Sequence, residues 1–310
     1  MSPYSFAPLL GRRLSNMLLT PIIRLMLWHR LGRYNSSTIA AIGRSLRVDR
    51  HAATRIFKRS LSCFARFNIE YLLTCLAGVD QMLARTEAIE IQGVEKLTPF
   101  LESNRPVLLV TMHMGNFQLG FLKLLSSIQT RRKLSVFKMS KADRNEAILL
   151  AAYKRQGHDV TILRATEDGG RQAFMELRRG NVVAMTVDLE VHVTTRQTVE
   201  FFGHACQMQS GPAQLAVMTR AVVIPVQNYI NAQGREVLRV DDPLYPDAGP
   251  AGESNRQAVG RLTQGIAANL EAWIRIDPNQ VMFWSGLAET IWHQLPAAAP
   301  GSSHTEAVAP

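Results

Sequence analysis

The chain has 310 residues, of which 46% are hydrophobic, enough for a packed core in one large or two small domains. Its formal net charge is +10, and its three cysteines show no metal-binding or disulfide spacing. This composition excludes a disulfide-stabilised scaffold, favours a reducing compartment and implies neither a metal nor an organic cofactor.

The positive charge is concentrated at the amino terminus. Residues 1–60 hold eleven Lys or Arg residues against one acidic residue, Asp49, so they account for the whole net charge. The first 35 residues mix arginines with Leu, Ile, Met and Trp28, and Pro21 and Arg24 interrupt an apolar run too short for the ~20 residues of a membrane span. We therefore predict that residues 1–35 form a basic amphipathic segment, lying on an anionic membrane at its cytoplasmic face.

Three other interpretations of this basic segment stay open. A secretory signal would need a small-residue cleavage site, which the arginine-dense sequence does not offer. Nucleic-acid binding is compatible with the charge, but no nucleic-acid motif accompanies it, and we expect no such partner. Docking of an acidic carrier protein is compatible with membrane contact as a second role.

Helices and then alternating elements are predicted along the rest of the chain. Residues 36–90 have a helical pattern, with Asp49 as a helix cap. Strands are predicted at 89–91, 106–112, 134–139, 159–163, 182–187, 222–227 and 236–240, and helices at 94–101, 116–128, 145–156, 170–179, 213–220 and 255–275. This alternation predicts an α/β fold with a mixed, largely parallel central sheet flanked by helices over residues 36–295. Residues 296–310 are rich in Ala, Pro and Ser, which predicts a disordered tail.

The most informative motif is the segment His113 to Gly120, which reads His-Met-Gly-Asn-Phe-Gln-Leu-Gly. It follows the apolar run 106–112, and apolar residues recur at helical spacing after it. His113 is therefore predicted at the carboxyl end of a buried strand, where open α/β sheets carry their chemistry. On one helix His113 and Gln118 would lie about 140° apart, but across a strand-to-helix turn they can meet.

This segment resembles the His-x4-acid signature of the lysophospholipid acyltransferase superfamily, and most of all its bacterial lipid A biosynthesis acyltransferase branch. Further blocks that resemble the branch follow in the same order, at Gly180–Glu190, Val199–Gly203, Gly211–Ala216, Ala221–Val226, Pro278–Gln280 and Trp284. The resemblance covers roughly residues 20–290. It implies an enzyme of the inner membrane that moves a fatty acyl chain from acyl carrier protein or coenzyme A to a hydroxyl or amine of a lipid or glycolipid acceptor.

Within this resemblance His113 is the general base, and the family's acid orients the imidazole and stabilises the imidazolium. Gln118 stands in the place of that acid and carries no charge. Three interpretations stay open: a slow enzyme, a carboxylate borrowed from Asp188 or Glu190, or an acceptor such as an amine that needs less base assistance. Gln118, together with Ser285-Gly286-Leu287 in place of the branch's basic cluster, favours a changed acceptor such as a carrier-tethered metabolite. The alternative of another class is a non-catalytic membrane-binding protein that retains the fold.

The predicted site has a catalytic set and a substrate-binding set. The catalytic set is His113, Gln118 and Asp188, and the substrate-binding set is Asn116, Arg155, Glu190, Phe201, Phe202 and Gly203. Asn116 is expected to stabilise an oxyanion or to cap a helix, and Arg155 to contact an anionic group, with Arg144 and Arg164 as rivals. The Phe-Phe-Gly block is expected to line the acyl channel or to end a core strand.

Overall fold

The computed structural model describes residues 7–128, 130, 132–138, 144–164, 167–188 and 195–292. Four helices come first: α1 (Ala7–Arg30), α2 (Gly32–Leu46), α3 (Arg50–Leu76) and α4 (Val79–Glu87). Asp49 Oδ1 accepts the Ala52 N–H at 2.6 Å, which confirms the predicted cap of α3. The helix α2 continues past residue 35, so no break in the backbone marks the boundary predicted there.

Strands and helices alternate after α4, as predicted. The strands are β1 (Glu90–Gln92), β2 (Val107–Thr111), β3 (Leu134–Lys138), β4 (Val160–Arg164), β5 (Val182–Thr186), β6 (Arg196–Phe201), β7 (His204–Gln209), β8 (Val222–Ile230) and β9 (Glu236–Val240). The helices are α5 (Thr98–Glu102), α6 (Phe117–Ser126), α7 (Arg144–Arg155), α8 (Glu167–Arg178), α9 (Gly211–Thr219), α10 (Asn255–Ile276) and α11 (Trp284–Trp292). Short 3-10 turns occupy Val94–Lys96 and Pro278–Gln280.

The central sheet has seven strands in the order β1-β9-β8-β2-β5-β3-β4. All neighbours pair in parallel except β8 and β9, which are antiparallel, so the predicted mixed, largely parallel sheet is confirmed. The alternating side chains of β2 enter two hydrophobic clusters, Leu108 on one face of the sheet and Leu109 on the other. Both faces of the sheet are therefore covered, which explains the continuous apolar run in the sequence.

The carboxyl ends of four parallel strands lie at one edge of the sheet. The strands β2, β5, β3 and β4 are consecutive and parallel, so their carboxyl ends lie side by side, each about 4.8 Å from the next. His113 comes two residues after β2 and Asp188 two residues after β5, while Lys138 and Arg164 are the last residues of β3 and β4. Four chemically active side chains thus belong to one edge of the sheet.

The helix α1 has two different faces. Leu19 and Ile23 are buried and form a small cluster with Ala65 and Ile69 of α3. The other face exposes six large apolar side chains, those of Leu14, Met17, Leu18, Ile22, Leu25 and Met26. In the part of the chain that the structure describes, no helix combines the length and the apolar character needed to cross a bilayer.

A hairpin of two strands and one helix were not predicted. The strands β6 and β7 form an antiparallel hairpin, closed by Phe202 and Gly203 with φ of 52° and 74°. A two-residue turn with both φ values positive matches the right-handed twist of paired strands, but its usual sequence is Asn-Gly. The helix α11 is the second unpredicted element, and the predicted tail 296–310 lies outside the described residues.

Candidate active site

The loop that carries His113 is held by a segment far away in sequence. The His113 carbonyl accepts the Met282 N–H at 2.9 Å, and Met114 forms an isolated antiparallel bridge with Val281. The imidazole itself lies between two phenyl rings, those of Phe117 and Phe283, each 4.8 Å away between centroids and nearly perpendicular to it. The backbone and the ring of His113 are therefore both fixed.

Asp188 makes two hydrogen bonds with His113. Its Oδ1 lies 2.8 Å from His113 Nδ1, and its Oδ2 accepts the backbone N–H of His113 at 2.9 Å. The Asp188 side chain is fully buried, and that of His113 is 16% exposed. Because an ionised carboxylate only accepts hydrogen bonds, Nδ1 carries the hydrogen and Nε2 is left as the basic nitrogen. Of the two borrowed carboxylates considered above, the structure places Asp188 against the imidazole, whereas Glu190 lies outside the described residues.

Gln118 lies in the first turn of α6 and lines the same cavity as His113. Within the described part of the chain its side chain makes no hydrogen bond, either to His113 or to another residue. The expectation that Gln118 orients the imidazole therefore needs correction: Asp188 already occupies Nδ1, and the amide is left facing the cavity.

Asn116 occupies the residue before α6, but its side chain does not cap the helix. It is 1% exposed, and neither its Oδ1 nor its Nδ2 has a hydrogen-bond partner among the described residues. Gly115 precedes it with φ of 59°, and a Cβ there would lie 2.6 Å from the carbonyl oxygen of Asn228. The turn between β2 and α6 therefore requires glycine and presses closely on β8.

A cavity of about 780 Å³ opens in front of the imidazole, between the sheet and the helices α3, α6 and α7. Its apolar lining includes Phe117 and Phe121 of α6, Phe64 and Leu72 of α3, Leu149 and Tyr153 of α7, and Leu109, Val136, Ile162 and Ala184 of the sheet. Asp188 is not part of the lining, because it lies behind the imidazole. The size and the lining suit a ligand with a long apolar part and a reactive group at His113.

A charged cluster lies along the same edge of the sheet, and two of its members line the cavity. Glu146 accepts hydrogen bonds from Lys138 Nζ at 2.9 Å and from Arg164 Nη1 at 3.0 Å. Burial raises the pKa of Glu146, but the hydrogen bonds from Arg164 and Lys138 outweigh it and hold that pKa below its usual value. Two cations thus share one carboxylate at this end of the cavity.

Several predicted binding residues lie elsewhere. Arg155 is exposed and pairs with Asp80 at 2.9 Å, outside the cavity lining. The side chain of Arg144 is outside the described residues, and Arg164 is the rival that reaches the charged cluster. Lys138, which sequence reasoning missed, lines the cavity because it ends the strand next to β5.

The Phe-Phe-Gly block does not line the cavity either. Phe201 and Phe202 are buried on the opposite face of the sheet, where their rings pack against each other at 4.8 Å. The Phe202 N–H donates to Glu271 of α10 at 2.6 Å, and the guanidinium of Arg275 lies 4.7 Å from its ring. The expected place of Phe201, Phe202 and Gly203 in the acyl channel is thus corrected, and the alternative, the end of a core strand, is confirmed: they close the hairpin and anchor it to α10.

Comparison with known proteins agrees with this geometry. The family model of the bacterial lipid A biosynthesis acyltransferases matches residues 48–285. The chain belongs to this family. The match contains β2, β5, the whole cavity lining and the segment 281–283 that fixes His113. The acyltransferase class predicted from the sequence is confirmed at the level of the family.

Two kinds of relative are similar to the chain. Phosphatidylinositol mannoside acyltransferases of two Mycobacterium tuberculosis strains are 25% identical over 203 residues, which cover 63% of this chain and 61% of each relative. The chain therefore matches less than two thirds of the length of these relatives. A crystal structure of the 1-acyl-sn-glycerophosphate acyltransferase PlsC from Thermotoga maritima covers 84% of this chain and 98% of its own, with a TM-score of 0.37 and 16% identity.

Proposed function

We propose that this protein transfers a fatty acyl chain from an acyl thioester to a hydroxyl group of a lipid or glycolipid acceptor, with His113 as general base and Asp188 as its charged partner. The observation that carries this proposal is the His113–Asp188 pair at the mouth of an apolar cavity. The pair supplies the charge that Gln118 cannot supply, so a changed acceptor is not needed to explain the amide at that position.

The pair can perform the transfer in two steps. His113 Nε2 takes the proton of the acceptor hydroxyl as its oxygen attacks the thioester carbonyl, and the Asp188 carboxylate stabilises the imidazolium that forms. The carbon–sulfur bond then breaks, the new ester remains on the acceptor, and the thiolate leaves with the proton from the imidazolium. The free N–H groups at the start of α6, with Asn116 beside them, are placed to stabilise the oxyanion between the steps.

Different parts of the cavity bind different parts of the substrates. The apolar part between α6, α7 and the sheet takes the acyl chain, since burying each methylene gains about 0.8 kcal/mol. The charged cluster of Lys138, Glu146 and Arg164 contacts a polar group of the acceptor or of the donor's carrier, in place of the anion contact expected earlier of Arg155. A glycolipid acceptor is supported by the name of the mycobacterial relatives. Acyl carrier protein and coenzyme A both remain candidate donors.

We also propose that the protein works at the cytoplasmic face of the inner membrane, held there by α1. The exposed apolar side chains of α1 recur at helical spacing, from Leu14 through Leu18 and Ile22 to Met26, and form one stripe. The exposed Arg24 and Arg30 flank this stripe. A helix with an apolar stripe and basic flanks suits the headgroup layer of an anionic bilayer.

The direct experiment is transfer by His113→Ala, compared with His51→Ala as a matched control, because His51 is an exposed histidine at the start of α3. Purified variants are mixed with a dodecanoyl thioester and a lysophospholipid or glycolipid acceptor, and both thiol release and the acylated product are followed. We expect His113→Ala to lose activity by several orders of magnitude with an unchanged circular dichroism spectrum, and His51→Ala to keep it. A His113→Ala rate near that of the wild type would refute the proposal.

A further inference from the structure

One residue of the cavity lining, Tyr153, carries a hydroxyl group, and an unsubstituted hydrocarbon chain offers no partner for it. Tyr153 of α7 is 2% exposed and lines the cavity. It belongs to the same hydrophobic cluster as Leu109 and Ala184, and its ring lies 6.2 Å from that of Phe121. Its hydroxyl makes no hydrogen bond with any described residue. Its oxygen is not among the fully buried atoms that lack a partner, so it is open to the cavity and available to a ligand there.

The depth of Tyr153 follows from the direction of α7. This helix joins the parallel neighbours β3 and β4, so it runs from the carboxyl edge of the sheet to the amino edge. Asn145, Leu149 and Tyr153 all line the cavity and are four residues apart, so they form one stripe down the helix. Tyr153 lies eight residues beyond Asn145, about 12 Å further from the edge that carries His113.

The polar residues of the lining are otherwise placed near the mouth or on α3. Thr111, Thr186 and Lys138 are the last residues of their strands, and Gln118 and Asn145 lie in first helical turns. Around the deep end the sheet contributes Leu109, Val136, Ile162 and Ala184. Burial raises the pKa of Tyr153, so its phenol stays neutral and can both donate and accept a hydrogen bond.

We propose that Tyr153 binds an oxygen substituent, a hydroxyl or keto group, on the distal half of the acyl chain. The donor would then be an oxygenated medium-chain acyl thioester. This inference rests on the proposed function only in taking the cavity as the acyl site. An acyl chain whose thioester lies at His113 runs along α7 toward Tyr153, and an oxygen substituent at that depth would hydrogen-bond to the phenol.

The test compares donors of equal length. Dodecanoyl-coenzyme A is compared with hydroxydodecanoyl-coenzymes A that carry the hydroxyl either next to the thioester or at successive carbons of the distal half. Binding is measured by calorimetry, and transfer rates are measured in parallel. A neutral hydrogen bond predicts that the wild type binds the best distal hydroxy donor about 2- to 10-fold more tightly than the unsubstituted one. A hydroxyl next to the thioester should give no such gain.

Tyr153→Phe should abolish this preference, so that the ratio of the two dissociation constants falls to about one. Tyr229→Phe is the matched control, because Tyr229 lies on β8 outside the cavity lining and should leave the preference intact. Equal binding of all donors by the wild type, or a preference that survives Tyr153→Phe, would overturn the inference. If the wild type prefers the distal hydroxy donor in binding but transfers no acyl group, the result counts against the His113 mechanism and not against the role of Tyr153. The two proposals can therefore fail separately.

Discussion

Replacing Asp188 by Asn tests the assignment of the charged partner most sharply. The carboxylate of Asp188 accepts two hydrogen bonds from His113, one from Nδ1–H and one from the backbone N–H. An amide offers one acceptor oxygen, so its NH2 group must face one of these two donors. If it faces Nδ1, the ring takes the other tautomer and the basic nitrogen no longer points toward the acceptor. The imidazolium also loses the only charge that contacts it among the described residues.

The expected loss can be estimated by analogy. In serine proteases the acid-to-amide change beside the catalytic histidine lowers kcat about 10⁴-fold. Each factor of ten in rate corresponds to about 1.4 kcal/mol of activation free energy, so Asp188→Asn should cost roughly 4–6 kcal/mol of transition-state stabilisation. Gln118→Ala removes an amide that has no hydrogen bond in the described part of the chain, and should change kcat by less than about tenfold.

The assay is single-turnover acyl transfer, with folding checked by thermal unfolding. Asp168→Asn is the matched control, because Asp168 is exposed and its ion pair among the described residues is with Arg171, three residues on. Gln118→Glu should give no gain, because a second carboxylate near Asp188 would be repelled by it and would titrate at a raised pKa. The reasoning is refuted if Asp188→Asn stays within tenfold of the wild type, or if Gln118→Glu accelerates the reaction.

Three further predictions concern the cavity, the surface and the charged cluster. Ala184→Leu adds carbon atoms to the cavity floor, so the donor preference should shift toward shorter chains, by about fourfold in kcat/KM per displaced methylene, measured over a series of acyl thioesters. Met17→Glu should weaken sedimentation with anionic vesicles, whereas Met218→Glu, at a similarly exposed methionine of α9, should not. The pKa of Glu146 is lowered in the folded state, so its interactions stabilise the fold at pH values above its ordinary pKa. This stabilisation is lost as the pH falls through the lowered pKa. Glu146→Gln should therefore flatten the acid side of the profile of Tm against pH.

The sequence was a good guide to the sheet and to His113. Strands such as β2 and β5 are buried on both faces, so their residues form continuous apolar runs that are easy to locate. The His113 position followed from one such run and the Gly115-Asn116 break behind it. Lys138 gave no comparable signal, because a lysine that ends a strand is ordinary unless the order of the strands is known.

The pairing within the site could not be read from spacing alone. Asp188 is 75 residues from His113 in sequence, and only the parallel pairing of β2 with β5 brings them together. The family motif drew attention to Gln118 instead, because it lies five residues away. The place of the Phe-Phe-Gly block stayed open between two alternatives for a related reason: two adjacent phenylalanines indicate burial, but they do not say on which face of the sheet.

The contacts of residues 281–283 with His113 affect the stage of folding at which activity can appear. His113 and Met282 are joined by a backbone hydrogen bond across 169 residues of chain, and Phe283 supplies one of the two rings that fix the imidazole. Closing a loop of this length costs conformational entropy, so we expect this contact to form after the intervening sheet has assembled. A partly folded chain would therefore contain the base and its carboxylate before it had a fixed imidazole to use. We therefore expect thioester cleavage to appear during refolding only with the slowest phase.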